Sequence, residues 1–150
     1  VDNLDLQLAC EDADIPQLHE FKTWLQAAIP LEKLQWDITL RVVDELESQT
    51  LNRDYRGKDY PTNVLSFVAD VPEELNIPLL GDLVICAPVV AREAQQQGKA
   101  LNAHWAHLCI HGALHLLGYD HETEEEAQTM EALETKLVMG LGFADPYLDN

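Results

Sequence analysis

The sequence predicts one domain of mixed strands and helices, an α/β-type or α+β fold with a mixed sheet of about four strands. Three observations point there. Short runs of alternating apolar residues recur along the first half, helical spacing separates them, and the last third carries two long helical patterns with clear start and stop signals. A chain of 150 residues suits a single domain, 1–150, and an apolar fraction of 47% is enough to build a core.

Leu4, Leu6 and Leu8 alternate with polar residues and predict a first strand. Ile15 to Ile29 has helical spacing at Leu18, Phe21, Leu25 and Ile29, with Pro16 acceptable in the first turn. Trp36, Ile38, Leu40 and Val42 alternate again and predict a second strand. Asp44 with Glu47 reads as a capping signature for a short helix through about Asn52. The charged segment Arg53 to Asp59, closed by Pro61, reads as a loop. Asn63 to Ala69 predicts a third strand, and Asp82 to Cys86 a fourth after a loop bounded by Pro72 and Pro78. Pro88 fits the first turn of a helix to about Gln97, with Gly98 beyond it. A helix then starts at Asn102 or Ala103 and runs to Leu117, where Gly118 can stop it. Thr123 with Glu126 reads as a capping box for the final helix, which ends near Gly140.

The formal charge is −18, which favours solubility and argues against indiscriminate nucleic-acid binding. No apolar run approaches the length of a bilayer span, and Val1-Asp2-Asn3 lacks the features of a secretory signal. Cys10, Cys86 and Cys109 show no CxxC spacing and read as reduced core thiols. The expected setting is cytoplasmic, with no membrane partner.

Five of the six histidines lie between His104 and His121. His111 and His115 are four residues apart, so one helical face can aim both at a single ion. Gly118 can turn the chain so that His121 supplies a third direction. Three neutral imidazoles leave a fourth position for water, whose pKa falls to about 7 on a catalytic zinc. The predicted ligands are therefore His111, His115 and His121, and the predicted cofactor is one Zn2+ per chain, its identity inferred from the donor set. His104 and His107 lack the glycine turn and read as packing residues or as supports for the ligands. His19 reads as structural. Asp82 and Asp120 are candidates to hold a ligand ring through its second nitrogen. The histidine and glycine spacing matches H-E-x-x-H-x-x-G-x-x-H, except that Gly112 stands where peptide-cleaving zincins carry their glutamate base.

The run His111-Gly112-Ala113-Leu114-His115-Leu116-Leu117-Gly118-Tyr119-Asp120-His121 resembles the signature of the YbeY family of bacterial metal-dependent endoribonucleases. Tyr55-Arg56-Gly57-Lys58-Asp59, Pro61 to Phe67, and Leu80-Gly81-Asp82-Leu83-Val84-Ile85 are similar to further motifs of that family. The resemblance implies a zincin-like α+β fold, a three-histidine zinc site, and action on small-subunit ribosomal RNA in its maturation and in ribosome quality control. The family's arginine falls on Arg56. A guanidinium suits that role, because it can clamp two phosphoryl oxygens at once and stays charged. Arg53, Arg56 and Lys58 place three of the nine basic residues within six positions.

Three function classes follow. The first is a zinc-dependent endoribonuclease whose partners are ribosomal RNA and ribosomal particles, with a ribosome-associated protein adding affinity that an acidic chain lacks. The second is a zinc-dependent hydrolase of peptides or small molecules, against which Gly112 counts. The third is a ribosome-associated factor that uses zinc for stability alone, which a fourth protein ligand would favour.

Overall fold

The computed structural model describes residues 1–12 and 14–148. Among these, four strands form one sheet: β1 (Leu4–Leu8), β2 (Asp37–Val43), β3 (Val64–Val68) and β4 (Leu79–Cys86), in the order β1-β2-β4-β3. The first three in that order run parallel, and β3 is antiparallel to β4 at the edge. The helices are α1 (Leu18–Ala28), α2 (Glu45–Arg56), α3 (Ala87–Gln97), α4 (Leu101–Leu116) and α5 (Glu124–Gly140). This is the α+β arrangement that the alternating patterns predict.

Both faces of the central strands are covered, which explains the unbroken apolar run Leu83 to Cys86. Leu83 and Ile85 point into a core with Phe21, Leu25, Leu40 and Trp105, while Val84 and Cys86 join Val43, Leu65 and Val89 on the other face. α4 lies in the middle, packed on the sheet and on α1, α3 and α5. Phe21 meets Trp105 edge to face with ring centroids 5.6 Å apart. Burial on all sides is why α4 reads as apolar nearly all round, and why its histidines sit in a rigid frame. No helix among the described residues is long and apolar enough to cross a membrane.

Several boundaries differ from the sequence reading. α1 begins at Leu18, because Pro16 precedes the helix and Glu20 reaches back to the backbone N–H of Gln17 at 3.1 Å. β4 begins at Leu79 and includes Gly81, where a Cβ would stand 2.2 Å from the Phe67 carbonyl oxygen. Gly81 therefore serves close strand approach, inside a strand that the sequence reading starts only at Asp82. The charged segment from Arg53 is not a loop at its start: α2 continues to Arg56 and stops at Gly57 in the left-handed conformation, φ 72°. Arg53 and Arg56 thus occupy the last turn, where cations complement the helix dipole. The extension shows no helical period because Arg53 to Arg56 are all exposed, and the buried face of the turns before it is polar. Ser48 Oγ donates to the Thr62 carbonyl and Asn52 Nδ2 to the Tyr60 carbonyl, each at 2.9 Å. Asp44 caps α2 through the Glu47 N–H at 2.9 Å, but the Glu47 carboxylate pairs with Arg41 and does not return to the cap. Thr123 caps α5 as expected, accepting from the Glu126 N–H at 3.1 Å. Cys86 and Cys109 are buried free thiols, and Cys10 is half-buried.

Candidate metal centre

α4 presents His111 and His115 one turn apart, and Gly118 ends the following turn at φ 101°. The chain then doubles back, with the Tyr119 N–H donating to the Leu114 carbonyl at 3.0 Å. His121 arrives opposite the pair. One ring nitrogen from each of His111, His115 and His121 lies within 4.8 Å of the others. The structure thus brings together the three residues that the spacing singled out.

The hydrogen bonds of these rings set which nitrogen faces inward. His115 Nδ1 lies 3.0 Å from the Tyr119 carbonyl oxygen, which can only accept, so Nδ1 carries the proton. His111 Nδ1 donates to Oε1 of Glu134. In each neutral ring Nε2 is then a bare lone pair, and the two Nε2 atoms stand 3.2 Å apart. Two lone pairs at that distance repel unless a metal ion or a shared proton lies between them. The donor set therefore fits a divalent ion of the zinc, nickel or copper kind. Burial, with His111 and His121 close by, pushes the His115 pKa down and so favours the neutral ring.

A second group of possible ligands, His107, His111 and Glu134, lies deeper. Glu134 is fully buried on α5. Its carboxylate accepts from His111 Nδ1, from Tyr147 Oη and, at 3.2 Å, from His107 Nε2. Burial alone would raise its pKa, but the hydrogen bonds from His107, His111 and Tyr147 outweigh that and hold it at about 2. These contacts already pair each donor with an acceptor, so this group reads as a hydrogen-bonded support for the first.

Neither proposed aspartate has that supporting role. Asp82 is exposed on β4 between Thr39 and Phe67, and Asp120 accepts from the His121 backbone N–H at 2.8 Å within its own turn. The ring of His111 is held by Glu134 and the ring of His115 by a main-chain carbonyl. Glu134 left one trace in the sequence: a carboxylate between Met130 and Val138 on the buried stripe of α5. His107 packs behind His111 as a support, and His104 pairs with Glu93 at 2.9 Å. His19 is exposed on α1.

The three histidines open on a cleft of about 770 Å³, walled by β3, the end of α2 and the turn after α4. Arg56 and Lys58 line this cleft, and Asp120 is its anionic side chain. The local charge is thus opposite in sign to that of the whole chain. Tyr55, Tyr60 and Tyr119 border the same cleft and are exposed. Arg53 pairs with Asp54 at 3.2 Å, on an exposed part of α2.

Gly112 packs against the sheet. A Cβ there would meet Leu83, Ser66 and Val64 of the sheet, and Ser66 Oγ donates to the Gly112 carbonyl at 3.2 Å. Any side chain at this position forces Leu83 to shift.

An α+β fold with three convergent imidazoles on a cleft wall defines a protein with a candidate metal centre open to a cleft. The sequence model of the endoribonuclease YbeY family matches residues 7–142, and the chain belongs to that family. Among solved structures, it is similar to the solution structure of TM1509 from Thermotoga maritima, with a TM-score of 0.58 and 25% identity over 95% of this chain and 99% of that one.

Proposed function

We propose that this chain is a zinc-dependent endoribonuclease acting on small-subunit ribosomal RNA in its maturation and in ribosome quality control. The observation that carries the reading is that Arg56 and the three histidines line one cleft. His111, His115 and His121 would hold the ion through ring nitrogens. When bound, the ion supplies Lewis-acid polarisation of a phosphoryl oxygen and acidification of a water molecule. Arg56 donates two parallel hydrogen bonds to nonbridging oxygens and stabilises the charge that builds as the phosphodiester is cut. Lys58 adds a second cation for a neighbouring phosphate. Tyr55, Tyr60 and Tyr119 offer faces for unstacked bases, which suits single strands more than a duplex. Two cleft cations on an acidic chain give weak affinity for free RNA, so a ribosomal particle, with a ribosome-associated protein, would supply the remainder. Such a setting is cytoplasmic.

A second reading, hydrolysis of peptides, draws on one observation. β3 is an edge strand and borders the cleft, so an extended peptide could pair along it. Gly112 weighs against it, since it removes the usual base. The test offers purified protein three substrates, each with and without a chelator: ribosomal particles, naked ribosomal RNA and a casein-type peptide pool. His115→Ala, purified in parallel, controls for contaminating nuclease. Chelator-sensitive cutting of RNA in particles, absent from His115→Ala, is expected. Chelator-sensitive peptide cleavage with intact RNA would replace this reading with the second.

A further inference from the structure

The buried side of His111 is tied to the C-terminal segment that follows α5. Glu134 Oε1 accepts the His111 Nδ1 proton, and Glu134 Oε2 accepts from both Tyr147 and His107. Tyr147 also rests its ring against His107, centroids 5.1 Å apart, with its hydroxyl 3.2 Å from His107 Nε2. The segment is anchored: Lys99 donates to the Pro146 carbonyl, and the Tyr147 N–H donates to Asp145 Oδ1 at 2.9 Å. Tyr147 lies beyond residues 7–142, so the family match does not cover this contact.

We infer that Glu134 and Tyr147 are positioning residues for the ion site: Tyr147 and His107 hold the Glu134 carboxylate so that it keeps the proton of His111 on Nδ1 and leaves Nε2 free to ligate. This rests on the three-histidine reading proposed above. The physical reason lies in the count of donors. Three donors converge on one carboxylate, which accepts at both oxygens, and the His111 Nδ1 proton has Oε1 as its one acceptor. Partners of this kind fix the tautomer and orientation of a ligating ring, and losing one weakens metal binding by about 10- to 100-fold.

Glu134→Gln tests the idea because an amide is a donor on one side. Tyr147 and His107 both donate to the same position, so the amide oxygen must turn to them. Its NH2 group then faces His111 Nδ1 and drives the proton to Nε2, the atom that should ligate. The ion-free protein should show this by nitrogen-15 NMR: His111 carries Nδ1–H in the parent and Nε2–H in Glu134→Gln. Zn2+ affinity, measured by competition with a chromophoric chelator, should fall about 10- to 100-fold. Tyr147→Phe keeps the ring and removes only the hydroxyl; it covers the case in which Glu134→Gln does not fold. There His111 should retain Nδ1–H, and Zn2+ affinity should fall about fivefold, the effect of one missing hydrogen bond.

Parent-like Zn2+ affinity in Tyr147→Phe, with a parent-like or unfolded Glu134→Gln, overturns the inference and leaves the three-histidine site standing. So does a lowered melting temperature in either variant with no change in Zn2+ affinity. Zn2+ retained by His121→Ala but lost from Glu134→Gln would make Glu134 itself a ligand and overturn both readings. A parent that takes up no Zn2+ also overturns both.

Discussion

A Cβ on Gly112 would stand 2.7 Å from Cδ2 of Leu83, a side chain with no exposed surface. Ser66 Oγ and Val64 Cγ2 would each be 3.3 Å away. α4 thus packs tightly on the sheet at Gly112, and Leu83 cannot yield into solvent. Alanine should gain about 1 kcal/mol of helix propensity and lose about 1–3 kcal/mol to overpacking, for a net destabilisation of about 1 kcal/mol. Glutamate should cost more, because it also buries a carboxylate against Leu83 and Val64. Urea denaturation of both variants measures this. A Gly112→Glu variant as stable as the parent, or one that gains peptidase activity, would contradict the packing described.

Arg56 should matter for turnover and little for stability. It is exposed on the last turn of α2, so Arg56→Ala should change unfolding free energy by less than about 1 kcal/mol. Turnover on ribosomal particles should nevertheless drop about a hundredfold or more, with zinc content unchanged. Arg56→Lys should recover little, since an ammonium lacks the planar fork. Parent-like turnover in Arg56→Ala would reduce this residue to a solvated helix end.

Elemental analysis should find zinc lost from His111→Ala, His115→Ala and His121→Ala. His107→Ala should still bind one equivalent at saturating zinc, because its ring meets Glu134 and is not in the three-ring cluster. Affinity in the parent should fall as pH drops through the imidazole range. Protons compete there for the same nitrogens, so the sign is weaker binding in acid. Binding that is flat between about pH 5 and pH 7 would argue against imidazole ligation.

The tyrosines that border the cleft give a separate handle on the substrate. Tyr60→Ala and Tyr119→Ala should each weaken binding of a single-stranded oligoribonucleotide by about 1–3 kcal/mol if its bases stack there. Phenylalanine at either position should restore most of the loss, because stacking needs the ring and not the hydroxyl. Fluorescence anisotropy reads the difference. Equal binding by the parent and both alanine variants would remove stacking from the account.

The sequence alone determined the elements whose signals are local. Strands β1 to β3 and helices α3 to α5 followed from alternation, helical period and the stop signals at Gly98 and Gly118, all set by residues within a turn or two. The three-histidine cluster was legible for the same reason, since four residues on one helix and one glycine turn are enough to converge the rings. The last turn of α2 was not legible, because Arg53, Asp54, Tyr55 and Arg56 are all exposed and add no buried apolar position to the helical period. Only the tertiary structure set Arg56 across a cleft from His111, because their separation in space depends on how β3 and α4 pack. It alone replaced Asp82 and Asp120 by Glu134 as the carboxylate behind the site. Asp120 lies beside a histidine in sequence but turns to its own backbone, while Glu134 reaches His111 across two packed helices. Hydrogen bonds of that kind are made when buried faces meet, and sequence distance carries no record of them.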